Sequence, residues 1–373
     1  MPGVLFRLLI DDAAASREEI ASVETITVEL EIDMAAEARL MIPICTNDGG
    51  GWTTETAPLI RSARRIRIEV KVGNGAWTPL IDGPVVRIDT RMSPDPSQSS
   101  VTMVVSDDSI WLSRDDAQQR FDDLADSEVA LKLFQIAPQI ASTDIEDTPA
   151  AGSSGTAVVV QRGTAMALLA RLARRNGMNA YVRPGADSGA SVGVFRSLPT
   201  RGDGIPDLIL LGSGRNLMHW DGADDNEQPA KVVTYSLDVL SKTVTTATAG
   251  LDDLTLMGSD QTLVNGATPA SRVLKPCHGT IDPQQRVAAE ALRSSFAVDA
   301  SGEVMSDCYT GVLLPYHVVT VRAVDGRQSG DYVVKQVTHS LGRSIYSQRF
   351  QLMRNARSAG AKSNATAAPA GIS

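Results

Sequence analysis

The chain has 373 residues, enough for two or three domains with a sizeable core. Hydrophobic residues make up 43%, charged residues 21% and aromatics only 4%, which excludes a wholly disordered chain and calls for a mostly aliphatic interior. A net charge of −9 excludes a surface that grips nucleic acid throughout, because phosphate binding needs positive faces.

The N-terminus runs Met1-Pro2-Gly3-Val4-Leu5-Phe6-Arg7 and on to Asp11-Asp12. It lacks a basic stretch followed by a long apolar one, so no secretory signal is expected. No apolar run approaches the roughly 20 residues that span a bilayer. The first third then alternates with a period of two, the mark of strands with one buried face. Ile26, Val28, Leu30 and Ile32 alternate with Thr25, Thr27, Glu29 and Glu31, and Ile66, Ile68, Val70 and Val72 with Arg65, Arg67, Glu69 and Lys71. Asn74-Gly75 supplies a tight hairpin turn. The chain returns through Trp77, Leu80 and Ile81 to a turn expected at Asp82-Gly83-Pro84. Val86, Ile88 and Met92 alternate with Arg87, Asp89 and Arg91, and Val101, Met103 and Val105 mark another strand. Five or six antiparallel strands with no helix between them point to a small barrel or sandwich ending near Asp107-Asp108.

The middle changes character. Asp126 or Ser127 is placed to cap a helix through Val129, Leu131, Leu133, Phe134 and Ile136, stopped by Pro138. Residues 144–156 read as loop. The clearest helix follows: Thr164 caps it, Ala165, Leu168, Leu169, Leu172 and Ala173 form one stripe, and Gly177 takes the residue beyond the C-cap. Arg171, Arg174 and Arg175 suit its C-terminal dipole. Short strands follow at Tyr181-Val182 and around 192–195.

The last third is again mostly strand. Val233, Tyr235, Leu237 and Val239 share one face. Asp282 caps a helix with Pro283 in its first position, and Ala288, Ala291, Leu292, Ser295 and Phe296 are expected to share its apolar face. Residues 312–324 and 332–341 read as strands joined by Asp325-Gly326, and 346–352 as a final strand. Residues 357–373, rich in Ala, Ser and Gly without apolar period, read as a flexible tail. No internal repeat is evident.

The chain carries no G-x-S-x-G elbow, H-E-x-x-H, P-loop or C-x-x-C. Gly73-Asn74-Gly75 lacks the third glycine of a dinucleotide loop and leads into Trp77. Three cysteines, Cys45, Cys277 and Cys308, are odd in number and widely spaced, which argues against a disulfide framework and suits a reducing compartment. Cys277-His278 with Cys308 and His317 match no common zinc spacing, and buried thiols and strand histidines are the favoured reading. His219 and His339 complete the histidines. Asp221, Asp224, Asp225 and Glu227 lack the spacing of a calcium loop. The pairs Asp11-Asp12, Asp107-Asp108, Asp115-Asp116 and Asp122-Asp123 could serve glycosidase chemistry, but four such pairs read as a surface preference. Arg61, Arg64, Arg65 and Arg67 form the one basic cluster, expected as an exposed face or an inter-subunit ion-pair strip. Arg201-Gly202-Asp203 matches an adhesion tripeptide that also occurs by chance. No catalytic, cofactor-binding or metal-binding residue is assigned, no cofactor is implied, and an enzyme is not expected.

Two stretches carry a resemblance. Residues 161–182 read Gln161-Arg162-Gly163-Thr164, the helix, then Asn176-Gly177-Met178-Asn179-Ala180-Tyr181-Val182. Near the end come Ser329-Gly330-Asp331-Tyr332-Val333-Val334, Val337-Thr338-His339-Ser340-Leu341, Tyr346, and Phe350-Gln351-Leu352-Met353-Arg354-Asn355. Together with the helix at 126–137 they resemble, in order, the late control D proteins of contractile phage tails and the hub part of VgrG spikes. The resemblance implies a mainly β fold with an α/β insertion, two antiparallel β-barrel domains flanking a helix-containing middle. The implied division is 1–107 (first barrel, tube side), 108–230 (α/β middle), 231–355 (second barrel with one inserted helix) and 356–373 (tail). It implies a non-enzymatic homotrimeric hub in which six similar barrels match a six-fold inner tube to a three-fold spike. The implied partners are further copies of itself, a separate trimeric spike protein, inner tube or tube-initiator proteins and baseplate wedge proteins, without membrane insertion or specific nucleic-acid binding. Assembly is expected in the cytoplasm, before incorporation into a virion tail or injection-particle baseplate. VgrG-type members continue into an OB-fold and a repetitive needle that this sequence does not contain. The alternatives are a β-rich carbohydrate- or receptor-binding module, for which Trp52, Trp77, Trp111 and Trp220 are the available aromatics, and a hydrolase.

Overall fold

The computed structural model describes residues 3–46, 48–53, 59–60, 64–95, 98–149, 158–202, 204–225, 227–238, 242–262, 270–275, 282–305, 307–322, 324–342 and 345–358. They divide into two compact units. One comprises Met1–Ser197, Ser306–Pro315 and Gln336–Arg349, the other Leu198–Met305, Tyr316–Lys335 and Phe350–Ser373. The elements run β1 (Val4–Ile10), β2 (Ala13–Ala14), α1 (Arg17–Ser22), β3 (Thr25–Glu31), β4 (Glu37–Pro43), β5 (Arg65–Val72), β6 (Thr78–Arg91), β7 (Ser100–Ser106), α2 (Ile110–Ser113), β8 (Asp116–Asp122), α3 (Asp126–Phe134), β9 (Ile140–Ile145), β10 (Val158–Thr164), α4 (Ala165–Arg175), β11 (Asn179–Pro184) and β12 (Ser191–Arg196). They continue as β13 (Leu208–Ile209), β14 (Leu217–Asp224), β15 (Lys231–Asp238), β16 (Thr243–Gly250), β17 (Ser271–Val273), α5 (Pro283–Ser295), β18 (Val298–Val304), β19 (Val318–Arg322), β20 (Gly330–Gly342) and β21 (Tyr346–Arg354).

In the first unit the expected alternation does form strands. Antiparallel pairing runs β2–β1–β5–β6–β7–β4–β3, and the 336–342 half of β20 adds to β3, with Val337 opposite Leu30 and Leu341 opposite Ile26. This half-barrel closes over Ile26, Val28, Leu40, Ile66, Ile68, Val70, Val101 and Met103, all buried. Two local expectations fail. A helix, α1, stands among the strands, because Ser16 and Glu19 form a reciprocal capping box: Ser16 Oγ accepts from Glu19 N (3.2 Å) and Glu19 Oε2 from Ser16 N (2.8 Å). The turn expected at Asp82-Gly83-Pro84 is absent. β6 runs straight through, pairing first with β5 and then, past a bulge, with β7. Gly83 belongs there because a Cβ would lie 1.8 Å from the Ser106 carbonyl oxygen.

The same unit carries the α/β middle. α3 and α4 pack with β9, β11 and β12 around Leu133, Phe134, Leu168, Leu169, Leu172 and Phe195. Thr164 caps α4 by accepting from Ala167 N (3.2 Å), and its C-terminus is a Schellman motif: Met178 N donates to Ala173 O (2.9 Å), Gly177 N to Arg174 O (3.3 Å), with Gly177 at φ 69°. α3 starts one residue earlier than expected. Ala125 is its N-cap, fixed by the Glu128 carboxylate that accepts from Ala125 N (2.7 Å).

In the second unit the same continuous sheet runs on from β20 as β21–β18–β14, with β19 and β13 branching from β20, and curls into a second barrel-type portion. Asn216 shuts it. Its backbone N–H donates to Ile209 O (2.9 Å), its side-chain Oδ1 accepts from Ile209 N (2.8 Å), and its Nδ2 donates to Asp207 O (2.9 Å). The short β13–β19 pair is parallel. A separate sheet, β16–β15–β17, rests one face on α5. The helix face is partly the expected one: Ala291 and Ser295 are buried, Val287 joins Ala291 against Val232, Ala247 and Ala249, and Ala288 is exposed. The chain is therefore mainly β, with two barrel-type portions of sheet and a helix-containing middle.

Candidate functional site

The basic cluster expected as an exposed face or inter-subunit strip divides: only part of it is at the surface. Arg61 lies outside the described residues, and Arg64 is exposed. Arg65 and Arg67 instead point into an ion-pair network inside the first unit. Arg67, 2% exposed, donates through all five N–H groups: to Glu69 Oε1 (2.8 Å), Asp82 Oδ2 (3.0 Å) and the carbonyls of Gly185 (2.9 Å), Ala186 (3.2 Å) and Asp187 (3.1 Å). Arg65 grips Asp108 with both terminal nitrogens (2.9 and 2.7 Å) and Asp82 with Nε (2.8 Å). Asp82 Oδ2 also accepts from Gly189 N (3.0 Å). The network thus clamps the β11–β12 turn onto β5 and β6. Burial works against the charge of Arg65, but Asp108 and Asp82 outweigh it and raise its affinity for the proton. Burial likewise opposes the Glu69 carboxylate, and the hydrogen bonds of Arg67 and Arg7 hold it below its ordinary range. The alternation of β5 reads as inside and outside, but its polar face is roofed by another element, so both faces are buried. One signal was available. A hairpin read symmetrically about Asn74-Gly75 sets Arg67 opposite Asp82, the pair observed.

Three of the carboxylate pairs, Asp11-Asp12, Asp115-Asp116 and Asp122-Asp123, are exposed as expected, and the fourth is not. Asp107-Asp108 departs from the expected surface position and is buried. Asp107 accepts from Ala36 N (2.6 Å) and Ser109 N (2.9 Å), tying the β3–β4 turn to the end of β7. Burial pushes its carboxyl up to about 6, against the hydrogen bonds from Ser109 and Ala36. Asp108 also accepts from Ser191 Oγ (2.6 Å) and Trp111 Nε1 (3.0 Å). Asp11, at positive φ, accepts from Arg64 N and Arg65 N. Asp122 pairs with Arg120 on the surface. Asp225 accepts from Glu227 N and Gln228 Nε2, and Asp224 pairs with Arg357, so the acidic cluster around Gly222 is consumed locally.

Cys277 and His278 lie outside the described residues, as does Asp203 of the tripeptide; Cys45 and Cys308 are exposed thiols. Among the described residues no three His, Cys, Asp or Glu side chains converge as metal ligands. Trp77 stacks under Arg7 (4.5 Å), Trp111 binds Asp108, and Trp220 donates to Gln328 (2.8 Å) and meets Tyr332 edge-on. None of these three offers a bare ring to a sugar.

The closing motif is explained by burial. His339 Nδ1 and Tyr346 Oη are 2.9 Å apart, with the rings stacked in the core of the first unit. Burial pushes the His339 imidazole down to about 3, only partly offset by the Leu313 backbone, which excludes it from acid–base work near neutrality. In the second unit the Asn355 amide joins Met257 N (2.9 Å) to Thr255 O (3.0 Å), and the buried Arg354 donates to the carbonyls of Ser329 and Ser358 while stacking on Tyr332.

Two exposed patches lie on strands. The outer face of β15–β16–β17 exposes Tyr235, Leu237, Val244 and Val273, and Tyr235 and Leu237 share it as read from the sequence. Val239 lies outside the described residues. On β6, residues 86–91 are all exposed, against expectation for Val86 and Ile88. The first surface is largely apolar and the second mixes apolar with charged side chains; both lie on strands, suited to assembly. A half-open apolar groove of about 350 Å³ lies between Phe6, Ile20, Val23, Ile26 and Leu341. Among the described residues no helix is long and apolar enough to cross a membrane.

No protein-family model matches the chain, and no match to a curated protein sequence was found. Solved structures do match along nearly its whole length. A tail protein of Neisseria meningitidis MC58 is 15% identical with a TM-score of 0.61, covering 95% of this chain and 97% of that one. The 43 kDa tail protein of prophage MuSo2 from Shewanella oneidensis is 14% identical with a TM-score of 0.64, covering 95% and 99%. An E. coli component of the type VI secretion system, described as structurally similar to the T4 bacteriophage tail proteins gp27 and gp5, is 11% identical with a TM-score of 0.57, covering 93% and 76%. The chain has the fold of phage tail and VgrG-type proteins.

Proposed function

We propose that this chain is a structural baseplate hub of a contractile phage tail or contractile injection system. The observation that carries the proposal is fold likeness over the full length of two tail proteins, with two barrel-type portions of sheet in one polypeptide. In this reading the chain forms a homotrimer. Its barrels, assigned to 1–107 and 231–355, present six comparable edges to the inner tube and three-fold symmetry to a spike protein. The α/β middle is assigned to 108–230; the tail expected from 356 starts later, because Ala356 and Arg357 are buried, and its remainder from 359 lies outside the described residues. Further partners are tube-initiator and wedge proteins; the chain assembles in the cytoplasm and ends in the virion tail or particle baseplate. It works without catalysis, which accords with carboxylates and histidines spent on internal contacts.

Light scattering tests the core of this. A particle of three times 39.6 kDa, co-purifying with a coexpressed spike protein, is the expected result. A monomer that hydrolyses peptidoglycan or peptide would refute it.

A further inference from the structure

The outer half of β6 has a partner on one side only. β5 covers β6 as far as Pro84, and Val85 N donating to Arg64 O (2.8 Å) is the last backbone hydrogen bond on that edge among the described residues. Beyond it, residues 85–91 pair with β7 alone. Ile88 is 43% exposed although its cross-strand neighbour Met103 is fully buried. Among the described residues the backbone groups on this edge have no partner beyond Val85, and an apolar side chain is uncovered, a template for another strand.

The side chains say which strand. Ile88-Asp89-Thr90-Arg91-Met92 reads apolar, acid, neutral, base, apolar. Laid antiparallel on itself about Thr90, it matches at every position: Ile88 faces Met92, Asp89 faces Arg91, and Thr90 faces Thr90. Symmetry supplies each of the unlike pairs twice. Opposite charges and apolar pairs directly across strands stabilise a sheet, and like charges destabilise it. The competing contact within one chain, Arg87 Nε to Asp89 Oδ2 at 2.9 Å, joins side chains 60% and 53% exposed and is cheaply exchanged.

We propose that this edge pairs with the same edge of a second copy of the chain across a local two-fold axis, covering Ile88 and Met92. The inference does not rest on the hub reading. Such a contact closes on itself, so it turns monomers into dimers, or trimers into six-copy particles of dihedral symmetry.

Charge reversal tests it by light scattering on the full chain. The wild type should run as a dimer or hexamer. Asp89→Arg or Arg91→Asp places like charges opposite one another twice per contact and should weaken this association about tenfold, giving monomers or trimers. The double variant D89R/R91D restores the pairing in reversed polarity and should restore the assembly. Far-ultraviolet circular dichroism should match the wild type throughout, because these side chains are exposed in the single chain. Thr90→Cys, in a background with Cys45, Cys277 and Cys308 replaced by serine, should cross-link to its own copy on mild oxidation. A wild-type trimer indifferent to both single reversals overturns the edge pairing and leaves the hub reading standing. A dimer that they split supports the pairing and overturns the trimer. Failure of the double variant to reassociate overturns the pairing in either case.

Discussion

Replacing Arg67 with methionine keeps the apolar stem of the side chain and removes a guanidinium whose five N–H groups all have acceptors. The two carboxylates keep other partners, Asp82 through Arg65 and Gly189 N, Glu69 through Arg7. The carbonyls of Gly185, Ala186 and Asp187 lose this donor. Removing one partner from a buried ion pair costs about 3–5 kcal/mol, and each stranded acceptor about 1–3 kcal/mol. Because both carboxylates keep cationic or N–H partners, most of the ion-pair penalty falls away, and three stranded carbonyls near the low end of their range leave an expected loss of about 4 kcal/mol, a large share of a typical domain's stability. Arg7→Met is the control. Arg7 also binds Glu69, but its side chain is 45% exposed, and its loss should cost no more than about 1 kcal/mol. Arg67→Lys keeps the charge without the planar fork and should recover less than half of the loss. Urea unfolding followed by circular dichroism measures all three, and hydrogen exchange reports on the β11–β12 turn, whose amides should exchange faster in Arg67→Met. Equal cost for Arg67→Met and Arg7→Met, or unchanged exchange in that turn, would refute the clamp.

Asp107 should impose an unusual pH dependence. Its folded value of about 6 lies above the ordinary 3.8, so the native state holds a proton the unfolded chain releases. Its contribution to stability is therefore greatest below pH 4 and declines up to pH 6. The stability gap between wild type and Asp107→Asn should shift against the wild type by up to about 3 kcal/mol over that window, and a flat gap in urea titrations would remove the argument. Asn216→Ala opens the seam of the second barrel-type portion; about 2 kcal/mol of destabilisation is expected, with faster exchange at 207–217, and no change there would mean that the seam is held elsewhere. Tyr346→Phe strands a buried imidazole nitrogen of His339 and should lower stability by about 1–3 kcal/mol in thermal melts, whereas a neutral result would mean that the ring finds another partner.

Much of this architecture is legible in the sequence because its signals are local. Leu168, Leu169 and Leu172 between Thr164 and Gly177 specify α4 with both ends, and Asp282-Pro283 marks the start of α5. What escapes is which face of an element is covered. Val233, Tyr235 and Leu237 alternate as well as any buried strand does, but Val232 and Thr234 meet the helix. Alternation reports a period and leaves the covering layer undetermined when both faces are partly apolar. In α5 the small residues offer two plausible stripes, and Val287 with Ala291 wins by packing on β15 and β16. The clamp is hidden for the opposite reason: charged side chains advertise solvent, and only a distant turn, 185–189, makes their burial tolerable. The second half of the resemblance, ending in Arg354-Asn355, marks residues that pin loops of the second unit, which residue type alone does not reveal.

β20 pairs with β19 through Val333 and with β3 through Val337 and Leu341. A ribosome making this chain therefore emits the first sheet long before the strand that finishes it, and β3 waits with one flank bare while almost everything else is synthesised. Contacts so distant in sequence make for slow folding and a long period of vulnerability to aggregation. A chain cut short before β20 leaves β3 without its second neighbour, so completeness of the first sheet is tied to the last strands made.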